Sequence, residues 1–295
     1  MKKELQLIHL FVLVCELYDK RKHTCFQRLS NNASPGGITD PELVTIYFFG
    51  LLHQRFEKKA IYEFIQTYWL EYFPKLPAYQ TFVARLNRLE STFQSLGAEL
   101  QERLRVESLP EIDRVIDSMP VMLARGGHAY SAVVAREGLP DVGYCASKKL
   151  YFYGVRLHTI AQRRSGQLPS PQQIWMREGS CHDVRSVKEQ APALPNTTLI
   201  GDSAYADAEF ESKLARQGSK LYTPRKKPKG KELSRIEKHY NRCVSRLRQP
   251  IEGFFNWLND KTDLQNASTV RSEDALMIHC FGKLAFAYLL LVFNP

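Results

Sequence analysis

The sequence predicts an α/β protein in which a mixed β-sheet with flanking helices follows an all-helical N-terminal segment. Apolar residues recur at helical spacing through the first hundred positions, whereas short β-branched and aromatic runs alternate with helical stretches after Pro110. A chain of 295 residues is long enough for one large domain and a smaller one. We therefore expect a helical domain over residues 1–108 and an α/β domain with C-terminal helices over residues 109–295.

The helical segment carries recognisable start and stop signals. Thr39-Asp40-Pro41-Glu42 combines an N-cap threonine, a proline in the first turn and a glutamate three residues after the cap. This motif predicts a helix that ends near His53 and is buried, because large apolar residues fill it. Two prolines at 74 and 77 separate the two further helices that we expect, over residues 57–72 and 78–105.

The second segment alternates between strand-like and helical patterns. Five strands are expected from short β-branched or aromatic runs, over residues 114–117, 149–161, 173–176, 198–201 and 220–223. Helical patterns cover residues 182–190 and 233–258, and an apolar terminal helix follows. His182-Asp183 is typical of a helix start, where either residue is expected to cap the helix. This order of elements predicts a mixed five-stranded sheet.

Positive charge is concentrated in one part of the chain. The formal net charge is +10. Residues 213–248 hold 13 Lys or Arg and only two acids, Glu232 and Glu237, so that segment alone carries +11 (13 − 2). A local basic patch favours a polyanionic partner such as nucleic acid, and a solvated charged surface is the alternative.

Cysteine and apolar patterns predict the compartment. The six cysteines are scattered without any C-x-x-C pair, which argues against a zinc site or a disulfide framework and favours a reducing cytoplasm. Residues 5–18 and 275–293 are apolar. His9 and Glu16 interrupt the first stretch, and His279 and Lys283 the second, so we expect buried helices in place of a signal peptide or a membrane span.

Three acidic residues have a context that suits metal-dependent chemistry. Asp117 and Asp202 each end a short hydrophobic run and precede a serine, and Glu252 follows Ile251 in an amphipathic helical pattern. Carboxylates are the ligands that Mg²⁺ prefers, and two such cations can stabilise the attacking and leaving oxygens of phosphoryl transfer. Each acid alone is equally typical of a turn, a cap or an exposed helix position.

Four motifs carry a family resemblance as an ordered set: Ile116-Asp117-Ser118-Met119-Pro120, residues 150–158, Gly201-Asp202-Ser203-Ala204-Tyr205 and Arg248-Gln249-Pro250-Ile251-Glu252. This set resembles the DDE transposases of bacterial insertion sequences. The resemblance implies an RNase H-like catalytic core in which Asp117, Asp202 and Glu252 bind two Mg²⁺ or Mn²⁺ ions. It implies cleavage of element ends and transfer of the freed 3′-hydroxyl into target DNA.

The resemblance is partial around the glutamate. Some of these transposases have a Tyr, Arg, Glu and Lys signature there, and Arg248 matches its arginine. Ser245 and Asn259 stand at the tyrosine and lysine positions, so a hairpin-forming excision step is not implied. Arg248 lies one helical turn before Glu252, where it would either contact a DNA phosphate or pair with Glu252.

Other residues are expected to contact DNA. The loop cations Arg225, Lys226, Lys227, Lys229 and Lys231, together with Arg248 and Arg156, are predicted to neutralise phosphates. His158 shares the strand face of Arg156 and either lies at the DNA-facing edge or is a hydrogen-bonded structural histidine. Tyr240 is a candidate for stacking on unpaired bases. Nothing places a histidine to activate Ser118 or Ser203, which excludes serine catalysis.

The functional expectation is a cut-and-paste transposase of the bacterial cytoplasm, associated with the nucleoid. Residues 1–108 would bind the terminal inverted repeats of double-stranded DNA. A homodimer is expected because two element ends must be brought together. The alternatives are a metal-dependent nuclease that lacks strand transfer, and a decayed or domesticated transposase that only binds DNA.

Overall fold

The computed structural model describes residues 3–20, 37–104, 112–227, 230 and 232–293. The chain divides into two compact units. One contains Met1–Leu104 together with Leu258–Pro295, and we call it the helical unit. The other is Arg105–Trp257, which we call the sheet unit. The predicted domain limits, 1–108 and 109–295, stay a prediction about functional domains.

The helical unit begins with five helices: α1 Lys3–Lys20, α2 Asp40–Leu52, α3 Lys58–Tyr68, α4 Tyr79–Asn87 and α5 Glu90–Arg103. The predicted cap of α2 is confirmed. Glu42 N donates to Thr39 Oγ1 (3.3 Å), and Thr39 N donates to Glu42 Oε2 (2.6 Å). The prediction of one helix over 78–105 was wrong, because a tight turn at Arg88 and Leu89 separates α4 from α5 and buries Leu89 in the core.

The C-terminal apolar segment belongs to the helical unit. It comprises α9 Glu273–Met277, a π-helical turn Ile278–Gly282 and α10 Lys283–Phe293. The run Glu273–Phe293 is long and apolar enough to cross a membrane, but 78% of its most apolar window is buried inside the protein. Tyr288 lies against Gly97 of α5, and the rings of Phe286 and Phe48 are 5.8 Å apart. The segment is therefore a core helix, as the sequence predicted.

The sheet unit is a mixed sheet flanked by helices. Its strands are β1 Ile112–Arg125, β2 Asp141–Cys145, β3 Leu150–Gln162, β4 Ser170–Glu178, β5 Thr197–Ile200 and β6 Lys220–Tyr222. The order is β2-β3-β1-β5-β6. Strands β2 and β4 pair with the same edge of β3, β2 with its first part and β4 with the remainder. The prediction of five strands was wrong by one. β2 was missed because this five-residue strand contains Gly143 and forms only by pairing with the start of β3.

Strand β1 is longer than predicted, which changes the position of Asp117. Antiparallel pairing with β3 runs from Arg114 to Arg125 and keeps β1 extended well beyond residue 117. Parallel pairing with β5 stops at Val115, opposite Ile200. Asp117 therefore lies inside β1, just past the point where β5 ends, and not at a strand end as the sequence indicated.

Helices α6 Asp183–Gln190 and α7 Ala208–Arg216 cover one face of this sheet. The buried residues of the core that they share with the sheet are Ile116, Ile160, Trp175, Val187, Leu194, Leu199, Tyr205, Phe210 and Leu214. Helix α8, Arg235–Thr262, is longer than the predicted 233–258 and contains Pro250. Its side chains Ile251 and Phe254 are buried, which fixes the side of α8 on which Glu252 lies.

Candidate functional site

Asp117 is a largely buried carboxylate on β1, with 17% of its side chain exposed. Its Oδ1 accepts a hydrogen bond from the backbone N–H of Ser118 (2.8 Å). Its Oδ2 accepts one from Nη1 of Arg248 (3.1 Å), which lies on α8. Both oxygens are thus held by donors from two different elements, a geometry that fixes the orientation of the carboxylate.

Asp202 follows β5 after a single residue, Gly201. The Gly201 N–H donates to the carbonyl of Tyr222, which continues the parallel pairing of β5 with β6 by one step. Asp202 Oδ1 then accepts from Ala204 N (2.8 Å) and caps the short 3₁₀ turn Ser203–Tyr205. The end of parallel pairing therefore places Asp202 beside the middle of β1, close enough for its charge to act on Asp117.

Glu252 is linked to Asp117 through Arg248. Nη2 of Arg248 donates to Glu252 Oε1 (2.6 Å), while Nη1 of the same guanidinium donates to Asp117. Arg248 is 22% exposed and Glu252 is 52% exposed. The pairing of Arg248 with Glu252 is thus present, and phosphate contact by Arg248 stays a prediction.

Burial controls the electrostatics of this group. Desolvation raises the pKa of Asp117 to about 7, the positive charge of Arg248 opposes that rise, and Asp202 and Asp183 add to it. Burial also raises the pKa of Asp202, with a further contribution from Asp183, while Arg248 and Lys226 oppose it. Carboxylates that resist ionisation in this way favour a bound cation.

Asp183 is an acid that the sequence did not single out for this site. The predicted helix start is confirmed, because α6 begins at Asp183 with His182 at the N-cap position, but the His182 side chain makes no capping bond. Asp183 Oδ1 instead accepts a hydrogen bond from Oγ of Ser118 (2.7 Å), the residue that follows Asp117. The only sequence signal was an aspartate in a first helical turn, which is too common to indicate a site.

His158 is a buried structural residue. Its side chain is fully buried, and its ring stacks on Trp175 with centroids 5.4 Å apart. Burial, then Arg156 and Arg177, lower the pKa of His158 to about 3, so the ring is neutral and its 3.8 Å approach to Asp183 is not an ion pair. Of the two alternatives that the sequence left open for His158, the structure supports the structural residue and not the DNA-facing edge. Neither ring nitrogen has a hydrogen-bond partner among the described residues.

The predicted DNA-contacting cations lie in different surroundings. Arg156 donates to the backbone carbonyls of Gly179 (3.1 Å) and Tyr144 (2.6 Å), which ties its guanidinium to the sheet edge. Arg225 lies over the ring of Tyr240, 5.6 Å from its centroid. The Arg225 guanidinium therefore covers one face of the Tyr240 ring, and a base that stacked on that face would have to displace it.

The lysines of the basic loop have different neighbours. Lys226 is near enough to Asp202 to lower the pKa of that acid. Lys227 is 3.7 Å from Glu232. Lys229 and Lys231 lie outside the described residues. DNA contact by the basic loop therefore stays a prediction, and the charge of Lys226 is the one that acts on Asp202.

The donor chemistry fits a hard divalent cation. Asp117, Asp202 and Glu252 offer only carboxylate oxygens, the ligand type that Mg²⁺ and Mn²⁺ prefer. Within the described ranges, no three His, Cys, Asp or Glu side chains form a group tight enough to hold one ion. The Arg248 guanidinium bridges Asp117 and Glu252 and supplies positive charge between them. Cation binding would therefore require Arg248 to release at least one carboxylate.

Comparison with protein families gives a match over the sheet unit and beyond. Residues 109–290 match a family model described as the transposase DDE domain, which covers more than half of the chain and includes all three predicted acids. A search of curated proteins found no match.

Proposed function

The chain belongs to the family of DDE transposases, and we propose that it catalyses metal-dependent DNA strand cleavage followed by strand transfer, as in cut-and-paste transposition. The observation that carries this proposal is the bridge of Arg248 between Asp117 and Glu252, beside the end of β5 that carries Asp202. These acids come from β1, the end of β5 and α8, and burial raises the pKa of both Asp117 and Asp202. Perturbed acids of this kind mark functional sites.

The sheet supports an RNase H-like core. Antiparallel β4, β3 and β1 are followed across the sheet by parallel β5 and β6, with α6 and α7 on one face. In this arrangement the first aspartate lies in the central strand and the second follows the neighbouring parallel strand. We propose that this core is the catalytic unit.

The residues of the chain have distinct tasks in the proposed reaction. Asp117, Asp202 and Glu252 would hold two Mg²⁺ or Mn²⁺ ions, which supply charge stabilisation for in-line attack at phosphorus. The Ser118 and Ala204 N–H groups orient the two aspartates before DNA arrives. Arg248 neutralises Asp117 and Glu252, and on release it would be placed to bind a DNA phosphate.

The remaining parts of the proposal concern partners. We infer that residues 1–108 bind the terminal inverted repeats and that the loop cations, including Lys226, neutralise phosphates near Asp202. The protein would act as a homodimer on double-stranded DNA in the bacterial cytoplasm, because transposition must bring two ends together.

The test is a strand-transfer assay with DNA carrying a pre-cleaved 3′ end and a supercoiled target. The native protein should give joined products with Mg²⁺ or Mn²⁺. Asp117→Asn should give none while it still binds DNA. The matched control is Asp207→Asn, an acid of the same unit that caps α7 through Phe210 N (2.9 Å) and should leave joining intact.

Two outcomes would favour the alternatives. Hydrolysis without joining would indicate a nuclease on this fold. DNA binding with no cleavage by the native chain would indicate a protein that only binds DNA. Undiminished joining by Asp117→Asn would exclude Asp117 from the chemistry.

A further inference from the structure

Ser118 forms hydrogen bonds with two acidic residues that lie on different secondary-structure elements. Its backbone N–H donates to Asp117 Oδ1 (2.8 Å), and its hydroxyl donates to Asp183 Oδ1 (2.7 Å). Successive strand residues face opposite sides of a sheet. Asp117 accordingly meets Arg248 of α8, whereas the Ser118 side chain meets α6. Ser118 is therefore a link between α6 and the orientation of the Asp117 carboxylate.

Helix α6 is held in place by a second polar contact. The indole N–H of Trp175 on β4 donates to the hydroxyl of Ser186 (2.8 Å), and both groups are buried. The same indole stacks on His158, which is the strand partner of Ser118. These contacts fix α6 against the sheet close to Asp183, so the Asp183 carboxylate is positioned by more than its own hydrogen bond.

A third observation places Asp183 in the same polar surroundings as the predicted metal ligands. The Tyr205 side chain is fully buried, and its hydroxyl has no hydrogen-bond partner among the described residues. The charges of Asp183, Asp117 and Asp202 all act on that hydroxyl, with Asp183 the strongest of the three. An unpaired buried hydroxyl is costly, so the one of Tyr205 leaves a donor free for a polar ligand.

We propose that Asp183 is a positioning residue of the metal centre, which acts through Ser118 to hold Asp117 in the orientation that binds a divalent cation. This inference rests on the proposed function, because it needs Asp117 to be a metal ligand. It adds a fourth acid, on α6, to the three that the sequence indicated. Groups that orient a metal ligand affect cation affinity by about 10-fold to 100-fold when they are removed.

The experiment measures Mn²⁺ affinity of the full-length protein, by the loss of the free Mn²⁺ electron paramagnetic resonance signal. Asp183→Ala should weaken binding about 10-fold. Ser118→Ala should weaken it to a similar extent, and the double variant should be no weaker than either single one, because both changes break the same link. Ser118→Thr keeps a hydroxyl and should restore affinity. Asp183→Asn keeps the acceptor oxygen and should lose less affinity than Asp183→Ala.

Two control variants separate positioning from general stabilisation. Asp207→Ala removes the cap of α7 and an ion pair with Lys188 of α6, but it leaves the link through Ser118 in place. It should lower the melting temperature without changing Mn²⁺ affinity. Ser186→Ala removes the buried hydrogen bond between α6 and Trp175 but leaves the link through Ser118 in place. It should therefore weaken Mn²⁺ binding by much less than Asp183→Ala does.

The results that overturn the inference differ from those that overturn the proposed function. If Asp117→Asn weakens Mn²⁺ binding and Asp183→Ala leaves it within about twofold, Asp183 has no positioning role. Additive losses in the double variant, or equal losses in Asp183→Ala and Asp207→Ala, would also reject it. If Asp117→Asn itself leaves Mn²⁺ binding unchanged, the metal centre and with it the proposed function are wrong.

Discussion

The two units of this protein bury charged or ionisable groups in different ways. In the helical unit, the Lys283 ammonium donates to the carbonyl of Asp263 (3.1 Å), and the His279 ring N–H donates to the carbonyl of Leu264 (2.8 Å). Those carbonyls lie in the turn after α8, where Asp263 has a positive φ of 49°. Both side chains therefore satisfy carbonyls that the end of α8 leaves unpaired.

In the sheet unit, the buried acid Asp117 meets other charged side chains. Arg248, Asp202 and Asp183 act on it from three separate elements. Burial lowers the pKa of Lys283 to about 8 and raises that of Asp117 to about 7, so desolvation opposes the charge at both sites. Lys283 has a structural reason for its burial, because its ammonium binds the turn that follows α8. Asp117 binds no such turn, and charged side chains from several elements act on it, as the proposed metal site would require.

The largest effect should come from removing the charge at Asp117. Asp117→Asn should lower metal-dependent cleavage by about 10³-fold or more, because several kcal/mol of transition-state stabilisation come from the cation site. Lys283→Met should leave the rate unchanged if the helical unit buries its lysine only for structure. Initial rates on labelled DNA test both, and equal losses in the two variants would remove the distinction between the units.

Gly154 of the sheet unit and Gly97 of the helical unit differ in the space available for a side chain. A Cβ at Gly154 would overlap the carbonyl oxygen of Val121 on the paired strand, so Gly154→Ala should destabilise the fold by more than about 3 kcal/mol. Gly97 of α5 has its closest contact at 3.7 Å, to the ring of Tyr288. Gly97→Ala should stabilise by about 0.5–1 kcal/mol. Chemical denaturation measures both changes, and a tolerated Gly154→Ala would contradict the β1–β3 register.

Removing Arg248 should couple stability to the cation. Without metal, Arg248→Gln should lower the free energy of unfolding by about 2 kcal/mol, because Asp117 loses its charged partner. A divalent cation should then raise the melting temperature more in this variant than in the native protein. The reason is that the cation no longer competes with the Arg248 guanidinium for the carboxylates of Asp117 and Glu252. A smaller metal-dependent shift in Arg248→Gln would show that Arg248 does not occupy the cation position.

The lysine of the helical unit should affect the pH dependence of stability. The pKa of Lys283 is about 8 when folded and 10.5 at its ordinary value, so between these pH values the unfolded chain holds the proton that the folded chain has lost. Stability should therefore rise with pH, by about 1–2 kcal/mol between pH 8 and 9.5. Lys283→Met should lack this rise, measured as the difference between the two unfolding curves. If the stability of the native protein and that of Lys283→Met changed with pH in the same way, the prediction for Lys283 would be wrong.

The smallest effect concerns the cap of α2. Thr39→Ala removes one half of the reciprocal bonds with Glu42 and should cost about 1 kcal/mol. Thermal unfolding measures this loss, and Thr39→Ser should recover most of it. DNA cleavage should not change. A change in cleavage rate would mean that the helical unit influences the acidic site.

The sequence singled out Asp117, Asp202 and Glu252 by their order and local context, and their role as metal ligands stays a prediction. The structure joins Asp117 and Glu252 through Arg248, and it pairs β1 with β5, the strand that Asp202 follows. Strand β2 and the break between α4 and α5 were missed. Local propensity is weak at both places, and pairing with β3 or burial of Leu89 determines the conformation.

Asp183 illustrates the limit of sequence reasoning most directly. Its local signal is that of a first-turn residue, yet its hydrogen bond is made to Ser118, 65 positions earlier in the chain. His158 is similar: its strand parity was predicted correctly, but only the packing of Trp175 shows that this face is closed to solvent. Side-chain partners across such separations depend on sheet order, which propensity does not encode.

The sequence by itself determined the family, the three acids, the basic segment and the cap of α2, because each is a property of residues close together or in a recognisable order. Only the tertiary structure decided that Asp117 lies inside β1, that Arg248 bridges Asp117 and Glu252, and that Asp183 accepts a hydrogen bond from Ser118. It also decided that α10 packs with α5 in the helical unit. Those outcomes depend on long-range pairing and burial, whose free energies are gained only when distant segments meet.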